Sequence, residues 1–245
     1  MTRWTPEPVV VFAAASLANV LDAAAREHER AGGANVLLNV GASNSQARQI
    51  VDGAPADVFC SADEAQMDVV ERAGKIAPGT RVVLALNRLV VVVPKNPPSP
   101  LRGSGAAIAR LAGISELLDG RFRRIAVGDP QAVPVGVYTR EYLERAGIWT
   151  QIQPRLVPTL NVRAALAAVE AGNADAAFVY ATDAPLAPHA VVAFDVPVDQ
   201  MPAIVYPGAV VTAGRSAAAG RQFLAFLERE QGRAIFARFG FIVPK

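Results

Sequence analysis

Val9-Val10-Val11-Phe12-Ala13-Ala14-Ala15-Ser16-Leu17 is a β-branched run that ends in small residues and a serine. A helical pattern begins at once, with Leu17, Val20, Leu21, Ala24 and His28 recurring at the spacing of one helix face and Gly32-Gly33 as its stop. The stretch therefore predicts a buried strand feeding directly into a helix, with Ser16 at the junction. Such a junction aims free backbone N–H groups, the positive end of a helix dipole and a hydroxyl at one point, which suits an anion.

The same device recurs along the chain. Asn35–Val40 reads as a second strand and runs into Gly41-Ala42-Ser43-Asn44-Ser45, then a helix with Ala47, Ile50 and Val51 on one face and Gly53 as its end. A third strand, Asp57–Ser61, leads to Asp63, a helix cap with Gln66 at the reciprocal capping-box position, and on through Met67 and Val70 to Gly74. Further on, the strand Ile125–Gly128 is turned by Asp129–Gly136 into a helix carrying Tyr138, Tyr142, Leu143 and Ala146 and ending at Gly147. Pro134 suits the first turn of that helix, where its missing N–H would have had no partner, so Val135 and Gly136 are expected to offer two unpaired N–H groups. After the short strand Leu156–Val157, Asn161 reads as an N-cap. Val162, Ala165, Leu166 and Val169 form the next apolar face, with Gly172 as the stop. Ala176–Tyr180 is a strand, Val205–Val211 another, and two helices close the chain through Phe223, Leu224, Leu227 and Ile235, Phe236, Phe239.

Strand–helix alternation implies an α/β protein with mainly parallel sheets covered by helices on both faces. Ligands of such sheets sit beyond the carboxyl ends of the strands. Two donor-bearing junctions near the N-terminus (Ser16, Ser43) and two in the middle (Val135, Val162) imply two lobes facing each other across a cleft. The apolar runs Leu89–Val93 and Val205–Val211 are the candidate crossings. Asn96–Gly105 reads as an exposed loop; its Gly103-Ser104-Gly105 is a poor dinucleotide fingerprint, lacking a preceding strand and a third glycine.

Composition narrows the chemistry. With 245 residues, 52% of them hydrophobic, there is material for a large core. A net charge of +2 with scattered arginines does not make a nucleic-acid-binding face. One cysteine excludes an internal disulfide, and Cys60 with two histidines is a poor zinc set; Cys60 reads as a small buried hydrophobe. No apolar run reaches the roughly 18 residues a membrane span needs. Met1–Pro8 lacks the apolar core of a secretory signal, so the expectation is a cytoplasmic protein or one whose signal has been removed.

The inferred cleft is lined by hydroxyls, backbone N–H groups and one phenol, and no Lys or Arg is expected close by in sequence. A cage made only of donors suits a fully deprotonated tetrahedral oxyanion, since a protonated one would leave its own donor without an acceptor. Asp129, the one carboxylate nearby, is expected to do turn and capping work. A different reading is a serine hydrolase: Gly41-Ala42-Ser43-Asn44-Ser45 approaches the nucleophile elbow Gly-x-Ser-x-Gly, with His189 as the only downstream histidine.

Several motifs in order resemble the periplasmic molybdate-binding protein (ModA) family of ABC importers. They are Val11–Leu17, Ala47-Arg48-Gln49-Ile50, Gly53–Phe59, Ala126–Pro130 with Val133-Pro134, Asn161-Val162-Arg163, Val179-Tyr180 and Phe239-Gly240-Phe241, spread from about Val9 to Val243. The resemblance implies a two-lobed, type II periplasmic-binding-protein fold, with lobe I from 1–86 and 204–245, lobe II from 87–203, and the ligand in the cleft. It implies a non-enzymatic receptor that captures molybdate, and tungstate also, and delivers it to a membrane permease. Ligand roles then fall on Ser16 and Ser43, on the backbone N–H groups of Val135 and Val162, and on the Tyr180 phenol. Val135 stands where the family has alanine, and the residues around Ser43 depart from the family's serine-rich stretch. Molybdenum would be held only as the oxyanion, with no cofactor and no nucleic acid, by a monomer that is periplasmic or lipid-anchored outside the cytoplasm. Sulfate or another tetrahedral oxyanion is the alternative ligand.

Overall fold

The computed structural model describes residues 7–96 and 110–244, so the loop with Gly103-Ser104-Gly105 and the residues before Glu7 lie outside the described residues. In order, its strands and helices are β1 (Val9–Ala14), α1 (Ala18–Arg30), β2 (Val36–Gly41), α2 (Ser43–Val51), β3 (Val58–Cys60) and α3 (Glu64–Arg72). Next come β4 (Val82–Asn87), β5 (Leu89–Pro94), β6 (Ile125–Gly128), α4 (Pro134–Arg145), α5 (Trp149–Ile152) and β7 (Leu156–Thr159). The chain finishes with α6 (Val162–Glu170), β8 (Ala176–Tyr180), β9 (Ala190–Asp195), β10 (Ile204–Val210), α7 (Ala217–Glu228) and α8 (Glu230–Arg238). It divides into two units, Met1–Leu86 with Val205–Lys245, and Asn87–Ile204.

The first unit holds a five-stranded sheet in the order β2-β1-β3-β10-β4. β1 pairs in parallel with both β2 and β3, whereas β10 runs antiparallel to β3. The second unit repeats the plan with the order β7-β6-β8-β5-β9: β6 is parallel to β7 and β8, and β5 is antiparallel to β8 and β9. Both sheets are therefore mixed, and the expectation of mainly parallel sheets is corrected. Each keeps a parallel core of three strands, because the strand–helix units demand it, while β5 and β10 enter from the crossings and run the other way. Buried along its whole length, β5 can afford an uninterrupted Leu-Val-Val-Val-Val run.

Helix faces fall where their periodicity placed them. Leu17, Val20, Leu21, Ala24 and His28 are all buried, as are Val162, Ala165, Leu166 and Val169 of α6. In α4, Tyr138, Tyr142 and Leu143 are buried, but Ala146 is exposed at the C-cap. Phe12, Phe59, Met67, Val70 and Ile50 form one core cluster under α2 and α3. Gly53 and Gly172 end their helices at φ of 98° and 73°, a backbone region that favours glycine. Cys60 is completely buried and its thiol is pushed up to about 12 by that burial, so it stays protonated and inert.

Asp63 caps α3 by accepting from the Gln66 N–H at 3.1 Å. The expected reciprocal bond from Gln66 is replaced by Ser61, whose Oγ accepts from the Asp63 N–H at 3.2 Å. Burial pushes the Asp63 carboxyl up to about 6, outweighing the two hydrogen bonds from Gln66 and Ser61 that pull it down. The unfolded chain gives up this proton first as pH rises, so the carboxyl's contribution is full below about pH 4 and lost by about pH 6. Asp63→Asn keeps the cap acceptor and does not titrate. Denaturant unfolding should show the variant gaining on wild type by about 2 kcal/mol between pH 4 and pH 7. A difference that does not change with pH would refute this.

Candidate functional site

In the first unit the parallel register does the positioning. Ala14 of β1 lies beside Gly41 of β2, and Ala13 beside Cys60 of β3. Ser16 and Ser43 each follow this paired position by two residues, and Ala62 follows Cys60 by two. All three leave the same edge of the sheet. β10 reaches that edge from the opposite direction, with Gly208 beside Cys60, and so brings Tyr206 to it.

The junction after β1 is not a direct strand-to-helix turn. A 3-10 turn, Ala15–Leu17, intervenes, and Ser16 sits inside it, 3% exposed. Four small residues before Leu17 allow the chain to tighten there. The N-cap positions of this turn, of α1 and of α2 are Ala14, Leu17 and Ala42 and not the serines. Instead, Ser16 Oγ lies 3.1 Å from the Tyr206 hydroxyl, and Ser43 Oγ accepts from the Ala62 N–H at 2.9 Å. A serine whose oxygen already accepts a bond has its proton free to be given elsewhere. Ser43 is thereby set as a donor.

The sequence reading did not single out Tyr206 or Ala62. Tyr206 is completely buried and stacks edge-on against Phe241 with ring centroids 5.4 Å apart. Its signal was a tyrosine inside an otherwise apolar strand, since a buried phenol needs a polar partner. Ala62 carries no side-chain signal; it acts only through its position after β3.

In the second unit Gly128 of β6 lies beside Thr159 of β7, and Tyr180 ends the parallel neighbour β8. The starts of α4 and α6 therefore share an edge with Tyr180, which is 1% exposed. Pro134 is the first residue of α4, as its sequence predicts. Of the two N–H groups expected to be unpaired there, that of Gly136 is used, donating to the Val133 carbonyl at 2.8 Å. Val135, second in the helix, has no acceptor within it. Its added bulk relative to alanine is taken up inside the unit, against Gly128, where a Cβ would lie 2.7 Å from Val135 Cγ1.

Asn161 caps α6 by accepting from the Ala164 N–H at 3.0 Å, which leaves the Val162 N–H at the very start of the helix. Asp129 does turn work: its carboxylate accepts from the Gln131 N–H at 2.9 Å and its carbonyl from Ala132 and Val133. The expectation that no cation stands beside the donors is corrected, because Arg163 directly follows Val162. Its Nε donates to Asp183 Oδ1 at 2.5 Å.

The hydrolase reading has His189 as its downstream histidine. His28 packs against Phe223 and Phe226, and His189 is exposed beside Glu170. Among the described residues neither histidine is hydrogen-bonded to Ser43. No group of three or more His, Cys, Asp or Glu among the described residues could hold a metal cation, and no described helix is long and apolar enough to cross a membrane.

The chain matches the family model "Bacterial extracellular solute-binding protein" over residues 9–242. It is 38% identical to the molybdate-binding protein ModA of Escherichia coli (strain K12), across 96% of this chain and 89% of that protein. It is 34% identical to the ModA of Mycobacterium tuberculosis (strain H37Rv), across 96% of this chain and 85% of that one. The solved periplasmic molybdate-binding protein of Azotobacter vinelandii superposes with a TM-score of 0.79 at 25% identity, covering 97% of this chain and all of that one (100%). The chain thus belongs to the bacterial extracellular solute-binding proteins and, within them, to the ModA family.

Proposed function

We propose that this chain captures molybdate, and tungstate also, outside the cytoplasm and delivers it to the membrane permease of an ABC importer. The ion is its cargo, with no resident cofactor and no catalytic step, and the receptor works as a monomer in the periplasm or on a lipid anchor. Ser16 and Ser43 supply hydroxyls, Val135 and Val162 backbone N–H groups, and Tyr180 a phenol. The observation that carries the reading is that the donors come from strand ends and helix starts, with the Ser43 oxygen already accepting from Ala62 and the Ser16 hydroxyl paired with that of Tyr206. Such groups suit a dianion without protons of its own. Relatives named for molybdate binding, at 34–38% identity, support the choice of ion.

Calorimetric titration with molybdate, tungstate, sulfate and phosphate tests this. Molybdate and tungstate should bind at micromolar concentration or below. Ser16→Ala and Tyr206→Phe in the first unit, and Tyr180→Phe in the second, should each weaken binding by about 1–3 kcal/mol. No binding of molybdate or tungstate would overturn the function; tighter binding of sulfate would replace the ion. Losses confined to the variants of one unit would overturn the shared ligand set.

A further inference from the structure

Arg163 is the second residue of α6, next to the Val162 N–H, and Asp183 lies three residues beyond Tyr180. The Asp183 carboxylate is completely buried, while the Arg163 side chain keeps 28% of its surface exposed. The Asp183 N–H donates to the Tyr180 carbonyl at 2.9 Å, so the carboxylate is carried on the turn that ends β8. One of its oxygens takes Arg163 Nε at 2.5 Å; the other, Oδ2, has no hydrogen-bond partner among the described residues. Burying a carboxylate with one oxygen unsatisfied is costly. The cost is visible in the carboxyl itself, which burial pushes up to about 6 despite the guanidinium beside it.

Resting on the function proposed above, we infer that Asp183 is a specificity-determining residue: it engages Arg163 so that the oxyanion meets neutral donors instead of a guanidinium. The distinction matters because the two kinds of partner select differently. A guanidinium attracts any anion over a distance and forks readily onto sulfate, phosphate or carboxylate. Neutral N–H and O–H groups act only at contact, and so respond to the size and protonation of the ion. Paired with Asp183, Arg163 adds no net charge to the start of α6. Asp183 is a positioning residue in this scheme, since it acts through Arg163.

Titration of Asp183→Asn with the same four anions, at two ionic strengths and pH 7.5, tests the assignment. The ratio of molybdate to sulfate affinity should narrow about tenfold, chiefly through tighter sulfate and phosphate binding, and binding should become more sensitive to salt. The double variant Arg163→Met with Asp183→Asn should restore the wild-type ratio to within about twofold, because the released cation is gone. Arg163→Lys keeps the charge without the planar fork and needs no buried substitution. Its Nζ lies farther along the side chain than Nε and loosens the pairing with Asp183, so the ratio should narrow in the same direction even where Asp183→Asn does not fold. Affinities that fall by one common factor for all four anions, with unchanged salt dependence, would make the pair a structural clamp and overturn the inference. So would a double variant that keeps the narrowed ratio. Wild-type protein that binds none of the four would overturn the function and this role together; wild type that prefers molybdate, with variants of unchanged ratio, overturns the role alone.

Discussion

Gly136→Ala is expected to destabilise the second unit by about 3 kcal/mol or more and to weaken anion binding with it. Gly136 is the third residue of α4, and a Cβ there would lie 2.0 Å from the Gly128 carbonyl oxygen and 2.5 Å from that of Asp129. Both atoms are backbone, so no side chain can rotate out of the way; the start of α4 must lift from the end of β6. The Gly136 N–H is also committed to Val133 at 2.8 Å, which fixes how the helix begins. Since the Val135 N–H belongs to that same first turn, movement here displaces a proposed ligand. Urea unfolding and a molybdate titration on one preparation would read both effects. Gly120→Ala is the control: nothing lies within 4 Å of a Cβ there, and the change should stay within about 0.5 kcal/mol. A Gly136→Ala protein with the wild-type unfolding midpoint would show that the close approach has been misjudged.

Asp57→Ala should cost the first unit about 3–5 kcal/mol, because two part-buried N–H groups lose a buried charged acceptor at once. Asp57 is 1% exposed and accepts from the Val10 N–H at 2.8 Å and the Ser216 N–H at 2.7 Å. It thereby joins β1 to the start of α7, two segments far apart in the chain. Gly214 closes over it so tightly that a Cβ there would meet its carboxylate oxygen at 2.4 Å. Asp57→Asn retains one acceptor oxygen and should lose roughly half as much. Equal losses for the two variants, read from denaturant midpoints, would mean that packing and not the paired acceptors sets the stability here.

Much of this arrangement was legible in the order of residues. Strand-to-helix junctions at Ser43, Val135 and Val162, the Asn161 cap, Pro134 at the head of α4 and the apolar faces of α1 and α6 follow from local rules: dihedral preference, capping and helical period. Such rules act within a few residues, so a short window contains them. β4 and β9 were not recognised, and β5 and β10 were read as strands and crossings but without their antiparallel direction. Strand direction is decided by partners far along the chain, which no window holds.

The donors on the N-terminal strand ends were determined by sequence alone, because a strand that stops in small residues before a helix must leave N–H groups at that point. What sets those donors was decided by tertiary structure. Tyr206 reaches Ser16 across 190 residues, Ala62 reaches Ser43 across 19, and Asp183 takes hold of Arg163 across 20. Each pairing exists because β-sheet register brings distant chain ends to one edge, and hydrogen bonds form with whatever stands within about 3 Å, regardless of separation in sequence.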